Sequence, residues 1–390
     1  MEPTAHNGVV AGSDPSRNNF NGTRIAASSK TLAAGRPMSF ANEEHEHRQK
    51  FIRHFSHFGS ILRFPLPYSG FSGRPNSEHD NFKFDEKGFR NLSKSSYGPD
   101  SFWPRVFVLG GSTMVEGDTE DDTVPGRLQS SLRQAGYHDA QVFNFGVVST
   151  CFKQMSALAW SHLADLRPDA LVVVGGGTDV TNPWTFDPRP GHPYNAFVIE
   201  QVYDFLFDPS RIYSRELGLS YDELTNLLYA RLEQVRSETS WRTTEWEHAV
   251  VDSTRKAVQG FSSLALALQV PVFCILQPTI VRKKHLALAE QNAGSSEFIT
   301  YLDRQYDRLE KHFEVLGQIN RTNRNYFAHN LSDKFAAETE QIFYDAAHYI
   351  AKGRQMVADD LSEKLSQVLN SRARSRAGWT VALQRFRSWL

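Results

Sequence analysis

Four short blocks of this chain carry side chains that could do chemistry together: residues 110–113, 144–146, 175–179 and 345–348. The first block places Ser112 directly after two glycines, and the last block holds Asp345 three residues before His348. An imidazole can take the proton of a serine hydroxyl, and a carboxylate can fix the tautomer of that imidazole. These residue types therefore indicate nucleophilic acyl transfer.

The local pattern around Ser112 favours this chemistry. A serine at a strand-to-helix turn exposes its Oγ above the sheet, and the helix that follows directs free N–H groups at an oxyanion formed there. Each residue also has an ordinary explanation, since Ser112 fits a turn, Asp345 fits a helix cap and His348 fits a surface side chain. The catalytic explanation requires Ser112 and His348 to be in contact, whereas the ordinary explanations do not.

The elements that position the blocks follow from the apolar pattern. Unbroken apolar runs, which are typical of buried parallel strands, begin at Arg105, Ala140, Asp169 and Pro271. Helices are predicted at residues 123–136, 151–168, 245–269, 296–316 and 349–369. Strands that alternate with helices predict a doubly wound α/β fold. In such a sheet ligands bind beyond the carboxyl ends of the strands, where the first three blocks lie.

Composition divides the chain into five parts. Residues 1–40 are rich in Asn, Ser, Gly and Ala, and predict a disordered tail. We expect an N-terminal extension at residues 41–100. We expect the catalytic domain at residues 101–370, which contain all four blocks. The aromatic-rich segment 181–245 is longer than a normal connection between a strand and a helix. It predicts an inserted lid region within that domain. Residues 371–390 predict a basic tail.

Composition also argues against some classes of function. The 43 basic and 44 acidic residues give a formal net charge of −1, so binding of nucleic acid through bulk charge is not expected. Cys151 and Cys274 lie in apolar stretches of sequence, so we expect both to be small buried residues. No disulfide framework is expected. The sequence shows no signal-peptide pattern and no apolar run long enough to span a membrane. A cytoplasmic protein is therefore expected.

Taken in order, the blocks resemble those of the SGNH/GDSL hydrolases, in particular bacterial members whose serine block is Gly-Gly-Ser-Thr. The resemblance extends from residue 81 to residue 369, and it includes Gly-Phe-Arg at 88–90 and Leu-Gln-Pro at 276–278. It implies a flavodoxin-like three-layer α/β/α sandwich, which agrees with the alternation of strands and helices.

The resemblance also implies a role for each block. Ser112 is the nucleophile, His348 is its base and Asp345 orients the base. The backbone N–H groups of Ser112 and Gly146 donate to the oxyanion. The chain departs from the family at one position, because Thr178 stands where the family has an oxyanion-binding Asn. A threonine hydroxyl can donate in its place, but it is shorter, and losing one such donor costs about a hundred- to a thousand-fold in rate.

We therefore expect a serine esterase that hydrolyses an ester of a small molecule or a carbohydrate, such as an acetyl ester, through an acyl-enzyme. No metal and no organic cofactor is needed for this chemistry. Two alternatives remain open. The same triad can pass the acyl group to a sugar hydroxyl, as an acyltransferase does, or a protein weakened at Thr178 can bind its ligand without turnover.

Other features have more than one interpretation. The aromatic residues of 181–245 fit a ligand-stacking surface or the core of the insertion itself. Lys283 and Lys284 fit a solvated loop or a contact with an anionic substrate. The histidines between residues 45 and 57 fit a solvated helix better than a metal site. Asp179 is expected to bond loop backbone and to take no part in catalysis.

Overall fold

The computed structural model describes the following parts of the chain: residues 63–79, 81–94, 97, 103–207 and 221–387. The predicted tail at 1–40 and the histidines between 45 and 57 lie outside the described residues.

The strands fall into two groups. Four short strands form two hairpins in the N-terminal extension: β1 Phe64–Leu66, β2 Gly70–Ser72, β3 Glu78–His79 and β4 Phe82–Lys83. Five longer strands form the central sheet: β5 Arg105–Gly110, β6 Gln141–Gly146, β7 Ala170–Gly175, β8 Val272–Leu276 and β9 Tyr326–Asn330. The four apolar runs of the sequence are β5 to β8, whereas β9 was not predicted.

The central sheet is parallel throughout, with the strand order β6-β5-β7-β8-β9. Numbered along the chain, this is the 2-1-3-4-5 order of flavodoxin-like folds. The direction of winding changes between β5 and β7, so a crevice beyond their carboxyl ends is the expected site. Every residue of β5 to β8 is buried. The predicted α/β fold class, a parallel sheet flanked by helices, is confirmed.

Helices connect and cover the strands in the described residues: α1 Ser112–Val115, α2 Val124–Gln134, α3 Phe152–Leu158, α4 Gly177–Thr185, α5 Ala196–Phe207, α6 Tyr221–Glu238, α7 Thr244–Leu268, α8 Ser296–Gly317 and α9 Ala351–Arg387. Threonine caps begin two of them: the Thr123 hydroxyl accepts the Gly126 N–H at 3.1 Å, and the Thr243 hydroxyl accepts the Trp246 N–H at 3.2 Å. α2 packs on α9, and α7 packs on α3 and α8, which gives the sheet its two helical layers.

The N-terminal extension bonds to β6, an edge strand of the sheet. Asn91 accepts the Asn144 N–H at 2.7 Å and donates to the Asn144 carbonyl oxygen at 2.9 Å. It thereby satisfies backbone groups that an edge strand would leave unpaired. Arg90, one residue earlier, donates to the carbonyl oxygens of Val115 and Gly117 at 2.5 and 3.1 Å. The extension therefore also holds the chain that follows α1.

The predicted insertion at residues 181–245 contains α5 and α6. Trp184, Tyr194 and Phe197 are buried in it, and Trp184 stacks on Tyr301 of α8 with ring centroids 4.3 Å apart. Trp184 and Tyr194 are part of the main core, whereas Phe197 packs in a smaller cluster formed by α5 and α6, so these three rings do not form an exposed stacking surface.

Three smaller predictions can be compared with the structure. Cys151 and Cys274 are buried and free, as predicted. The backbone of residues 371–387 continues α9 as a helix. None of the helices in the described residues combines the length and the apolar character that crossing a membrane requires.

Candidate active site

Ser112 and Thr178 follow neighbouring strands and meet at one edge of the sheet. Ser112 begins α1 directly after β5, and Thr178 is the second residue of α4, directly after β7. β5 and β7 pair in parallel, so their carboxyl ends lie side by side. A Cβ added to Gly111 would lie 2.9 Å from the Thr178 Oγ1. A side chain at position 111 would therefore displace the Thr178 hydroxyl.

Ser112, His348 and Asp345 form a continuous chain of hydrogen bonds. The Ser112 Oγ lies 2.6 Å from the His348 Nε2, and the His348 Nδ1 lies 2.6 Å from the Asp345 Oδ2. The Asp345 Oδ1 accepts the N–H groups of Ala347 and His348 at 2.8 and 2.9 Å, which fixes the carboxylate. When Nδ1–H is donated to Asp345, Nε2 of the neutral ring can accept the Ser112 proton. The arrangement can thus generate a nucleophilic oxygen.

A hairpin-like loop between β9 and α9 carries Asp345 and His348. Phe343 and Tyr349 pair across it, and the Tyr349 hydroxyl donates to the Pro278 carbonyl oxygen at 3.1 Å. The loop is therefore tied to the segment that follows β8, beside the end of β7.

A buried ion pair anchors the base of this loop. The side chains of Lys283 and Glu290 are in contact and fully buried. Glu290 also accepts the N–H groups of Ile342 and Phe343 at 2.8 and 2.9 Å. Lys283 therefore neutralises Glu290 inside the protein and does not face an anionic substrate.

Replacing Glu290 with glutamine is expected to lower the free energy of unfolding by about 3–5 kcal/mol, because Lys283 would keep a buried charge without its partner. Unfolding in urea measures this change. Glu363→Gln alters an exposed glutamate of α9 and should shift the same free energy by less than about 0.5 kcal/mol. Equal effects of the two substitutions would show that the ion pair does not stabilise the fold.

A second carboxylate approaches His348 from the side of Ser112. The Glu116 Oε1 lies 3.3 Å from the His348 Nε2, and the Glu116 Oε2 accepts the Tyr344 hydroxyl. The Tyr344 ring also stacks on the imidazole, with ring centroids 5.5 Å apart and an interplanar angle of 11°. The imidazole therefore has a carboxylate at each nitrogen and an aromatic ring on one face.

These neighbours shift the pKa values of the site. Burial lowers the pKa of His348, but the hydrogen bond to Asp345 and the charges of Glu116 and Asp345 outweigh it, so the net shift is upward. Burial raises the pKa of Asp345, but its contacts with His348 and the loop N–H groups outweigh it, so the net shift is downward. Burial also raises the pKa of Glu116, and the charge of His348 opposes it only in part. The neutral, basic form of His348 therefore predominates only above the ordinary histidine pKa.

The Gly146 N–H is engaged in this structure and does not face an oxyanion. It donates to the Asn144 Oδ1 at 2.9 Å, and the Asn144 Nδ2 donates to the Met114 carbonyl oxygen at 2.8 Å. A Cβ added to Gly146 would lie 2.9 Å from the Met114 Cβ, so glycine lets β6 approach α1. Gly146 thus has a packing role, and the structure argues against its predicted role as an oxyanion donor.

Three other donors near Ser112 have no hydrogen-bond partner within the described part of the chain. They are the Ser112 N–H, the Ser149 N–H and the Thr178 hydroxyl. Ser149 lies in the turn after β6, and its carbonyl oxygen accepts the Asn182 Nδ2 at 3.0 Å. Because Asn182 lies one helical turn after Thr178, this bond places the Ser149 turn against the same helix. The three groups supply the kind of donors that an oxyanion hole requires.

The Ser149 turn is held by specific contacts. Its φ of 63° lies in the left-handed region that non-glycine residues rarely adopt. The Arg63 guanidinium donates to the Ser149 Oγ at 3.0 Å and lies 4.3 Å from the centroid of the Tyr194 ring. Burial lowers the pKa of Arg63, and no carboxylate of the described residues pairs with it. A guanidinium nevertheless stays protonated, so its charge favours an anion beside Ser149.

Asp179 connects the start of α4 to α3. Its carboxylate accepts the Phe152 N–H at 3.1 Å and the Gly176 N–H at 3.3 Å. Burial raises the pKa of Asp179 to about 6. These contacts agree with the expected structural role, which is to hold the turn that carries Thr178.

Sequence analysis missed three residues of the site: Glu116, Ser149 and Tyr344. Two of them carried a signal, since Glu116 lies four residues after Ser112 and Tyr344 directly precedes Asp345. No sequence signal pointed to Ser149, because its proposed role depends on a backbone N–H that is unpaired in the folded turn.

No protein-family model matches the chain, and comparison with curated proteins found no match. Among solved structures, the chain is similar to the acetyl xylan esterase AlAXEase at 12% identity and a TM-score of 0.38, over 67% of this chain and 98% of that chain. Axe2, an acetylxylan esterase from Geobacillus stearothermophilus, is 11% identical with a TM-score of 0.36, over 66% of this chain and 91% of that chain. BT4096, a gut microbial diltiazem-metabolizing enzyme, is 10% identical with a TM-score of 0.40, over 67% of this chain and 46% of that chain. The function of this chain must therefore be argued from its own residues.

Proposed function

We propose that the protein is a serine esterase or acylhydrolase of the SGNH kind. The observation that carries this proposal is the hydrogen-bonded chain from Ser112 through His348 to Asp345, with 2.6 Å at each of its two steps. A turn, a surface histidine and a helix cap would explain the three residues separately, but not their alignment. A nucleophile, a base and an orienting carboxylate in contact are the features by which covalent acyl transfer is recognised.

In this mechanism the His348 Nε2 takes the Ser112 proton as the Ser112 Oγ bonds to the ester carbonyl carbon. The carbonyl oxygen becomes an oxyanion. The bond from carbon to the leaving-group oxygen then breaks, and His348 gives its proton to that oxygen, which leaves as an alcohol. Water attacks the acyl-enzyme, His348 takes a proton from the water and returns it to Ser112, and the carboxylic acid departs. Asp345 stays ionised throughout and stabilises the charged imidazole.

The oxyanion in this proposal is bound by the Ser112 N–H, the Ser149 N–H and the Thr178 hydroxyl. Ser149 replaces Gly146 in the set, because the Gly146 N–H already donates to Asn144. Arg63 adds a positive charge next to Ser149. A fixed charge and oriented donors stabilise a developing oxyanion without reorganising during the reaction.

Replacing Thr178 with valine removes the hydroxyl and keeps the branched shape of the side chain. We expect kcat to fall by about a hundred-fold with little change in KM, because the lost bond is made mainly in the transition state. Steady-state kinetics with a chromogenic acetate ester measure both constants. Thr185→Val, the same substitution at the other end of α4, should leave kcat unchanged. Wild-type kcat in Thr178→Val would exclude the hydroxyl as a donor.

The substrate is proposed to be a small ester, such as an acetyl ester of a carbohydrate or a secondary metabolite. The test is a panel of p-nitrophenyl acetate, p-nitrophenyl butyrate and an acetylated monosaccharide, with folded Ser112→Ala as the blank. Hydrolysis of at least one ester above the blank is expected. If no ester is hydrolysed above the blank by folded wild-type protein, the esterase proposal fails.

A ligand-binding protein without turnover remains the second candidate, and Thr178 in place of an Asn is the observation that favours it. Such a protein would bind an ester without consuming it. Acyl transfer would instead show acceptor dependence, with product formed only when a sugar is added. The ester panel, run with and without sugar, separates these outcomes from hydrolysis.

A further inference from the structure

Glu116 lies beside the His348 Nε2, the atom that protonates the leaving alcohol in the proposed mechanism. In the proposed mechanism the leaving oxygen takes its proton from the His348 Nε2, so it must come within about 2.6–3.2 Å of that nitrogen. The Glu116 Oε1 is already 3.3 Å from the same nitrogen. Atoms bonded close to the leaving oxygen would therefore meet this carboxylate.

The carboxylate is fixed in place. The Tyr344 hydroxyl holds the Glu116 Oε2, which leaves Oε1 facing His348. Arg90 binds the carbonyl oxygens on either side of Glu116, at Val115 and Gly117. About a fifth of the side chain remains exposed (20%), so a ligand can reach it.

The triad does not explain Glu116. Asp345 already fixes the tautomer of His348 through Nδ1, and a second carboxylate at Nε2 stabilises the protonated ring, which cannot accept the Ser112 proton. Such a group opposes the base in the free protein. Its position is accounted for if a substrate brings a hydrogen-bond donor to it.

We propose that Glu116, positioned by Tyr344, is a specificity residue that accepts a hydrogen bond from a hydroxyl on the carbon next to the ester-bearing carbon of the alcohol. This inference rests on the proposed esterase function. The oxygens of a vicinal diol are about one hydrogen-bond length apart, so one can take the proton from His348 while the other donates to Glu116. The preferred substrates are then monoesters of polyols, such as sugars with a free neighbouring hydroxyl.

Two acetate esters of similar size test this assignment: 2-hydroxyethyl acetate, which has the donor, and 2-methoxyethyl acetate, in which a methyl group blocks it. We expect wild type to prefer the hydroxy ester by about ten- to a hundred-fold in kcat/KM, the range for a hydrogen bond to a charged group. In Glu116→Met the preference should fall close to one. Glu314→Met, at an exposed glutamate of α8, should keep the wild-type preference.

The ratio is taken within each protein, so a general loss of activity or of folded protein cancels. Glu116→Gln keeps the shape of the side chain and should show an intermediate preference, and it serves if Glu116→Met does not fold. A wild-type ratio near one, or an unchanged ratio in either folded variant, overturns the assignment but leaves the esterase proposal standing. A preference for the choline ester of acetate over the hydroxy ester also overturns it, in favour of a cationic substrate. If wild type hydrolyses neither ester and Ser112 does not react with a fluorophosphonate, the esterase proposal itself fails.

Discussion

Replacing Ser112 with alanine is expected to lower kcat for ester hydrolysis by about a million-fold. In the proposed mechanism the substitution removes the atom that forms the acyl-enzyme, and the His348 Nε2, 2.6 Å away, loses the proton donor that it faces. A water molecule in the space left by the Oγ could still attack the ester with help from the proposed oxyanion hole. Without a nucleophilic serine this leaves only weak residual catalysis.

The variant should remain folded. Ser112 is partly exposed at the end of a sheet whose core residues are untouched, so its free energy of unfolding should change by no more than about 1 kcal/mol. Circular dichroism and urea unfolding establish this before kinetics are measured. Retention of more than a tenth of the wild-type kcat by folded Ser112→Ala would remove Ser112 from the mechanism.

Replacing Asp345 with asparagine is expected to lower kcat by about ten-thousand-fold, with the loop intact. The asparagine Oδ1 can still accept the N–H groups of Ala347 and His348, as Asp345 does. Its Nδ2, however, donates to the His348 Nδ1 and forces the ring proton onto Nε2. Since Nε2 then donates to Ser112, it can no longer take the serine proton.

The same variant should shift the pH dependence of kcat/KM. Asp345 and Glu116 raise the pKa of His348, so wild-type activity should increase as pH rises through a value above the ordinary histidine pKa. Loss of the Asp345 charge lowers that pKa, so the residual activity of Asp345→Asn should appear at lower pH. Asp333→Asn, at an exposed aspartate of the same connection, is the matched control and should change neither kcat nor the profile. An Asp345→Asn variant with kcat within ten-fold of wild type would contradict the assigned role.

The fold could be predicted where burial determined the sequence. β5 to β8 are buried along their whole length, so most of their positions are apolar and can be recognised as runs, with Arg105, Gln141 and Asn144 as the large polar exceptions. β9 lies at the edge of the sheet and contains His329 and Asn330, which are only partly buried. Although β9 is as long as β8, its pattern is too polar to distinguish from a loop.

The site could be predicted where chemistry and local spacing coincide. Asp345 and His348 lie on one short loop, and Ser112 lies at a glycine turn, so their types and positions were informative before any contact was known. The proposed oxyanion donors were predicted less well, because an unpaired N–H cannot be recognised from residue type. Gly146 fits this role by its position at a strand end, but its N–H donates to the side chain of Asn144. Ser149 lies at a left-handed φ in the turn after β6, and its N–H has no partner within the described residues.

Glu116 shows the limit of sequence inference most clearly. An acidic side chain four residues after Ser112, just beyond a short helix, is most simply a solvated surface group. Only the return of the Asp345–His348 loop from the other end of the domain brings Tyr344 and the imidazole against it. A contact between segments more than two hundred residues apart depends on the whole sheet order, which the local sequence does not contain.

Reaction with a fluorophosphonate probe, followed by intact mass and peptide mapping, tests the central claim most directly. We expect a single adduct on wild type, located at Ser112, and no adduct on folded Ser112→Ala. It also predicts much slower labelling of Asp345→Asn, because His348 can no longer activate the serine. Folded wild-type protein that does not react, or an adduct that forms equally on Ser112→Ala, would contradict the assignment of Ser112 as an activated nucleophile.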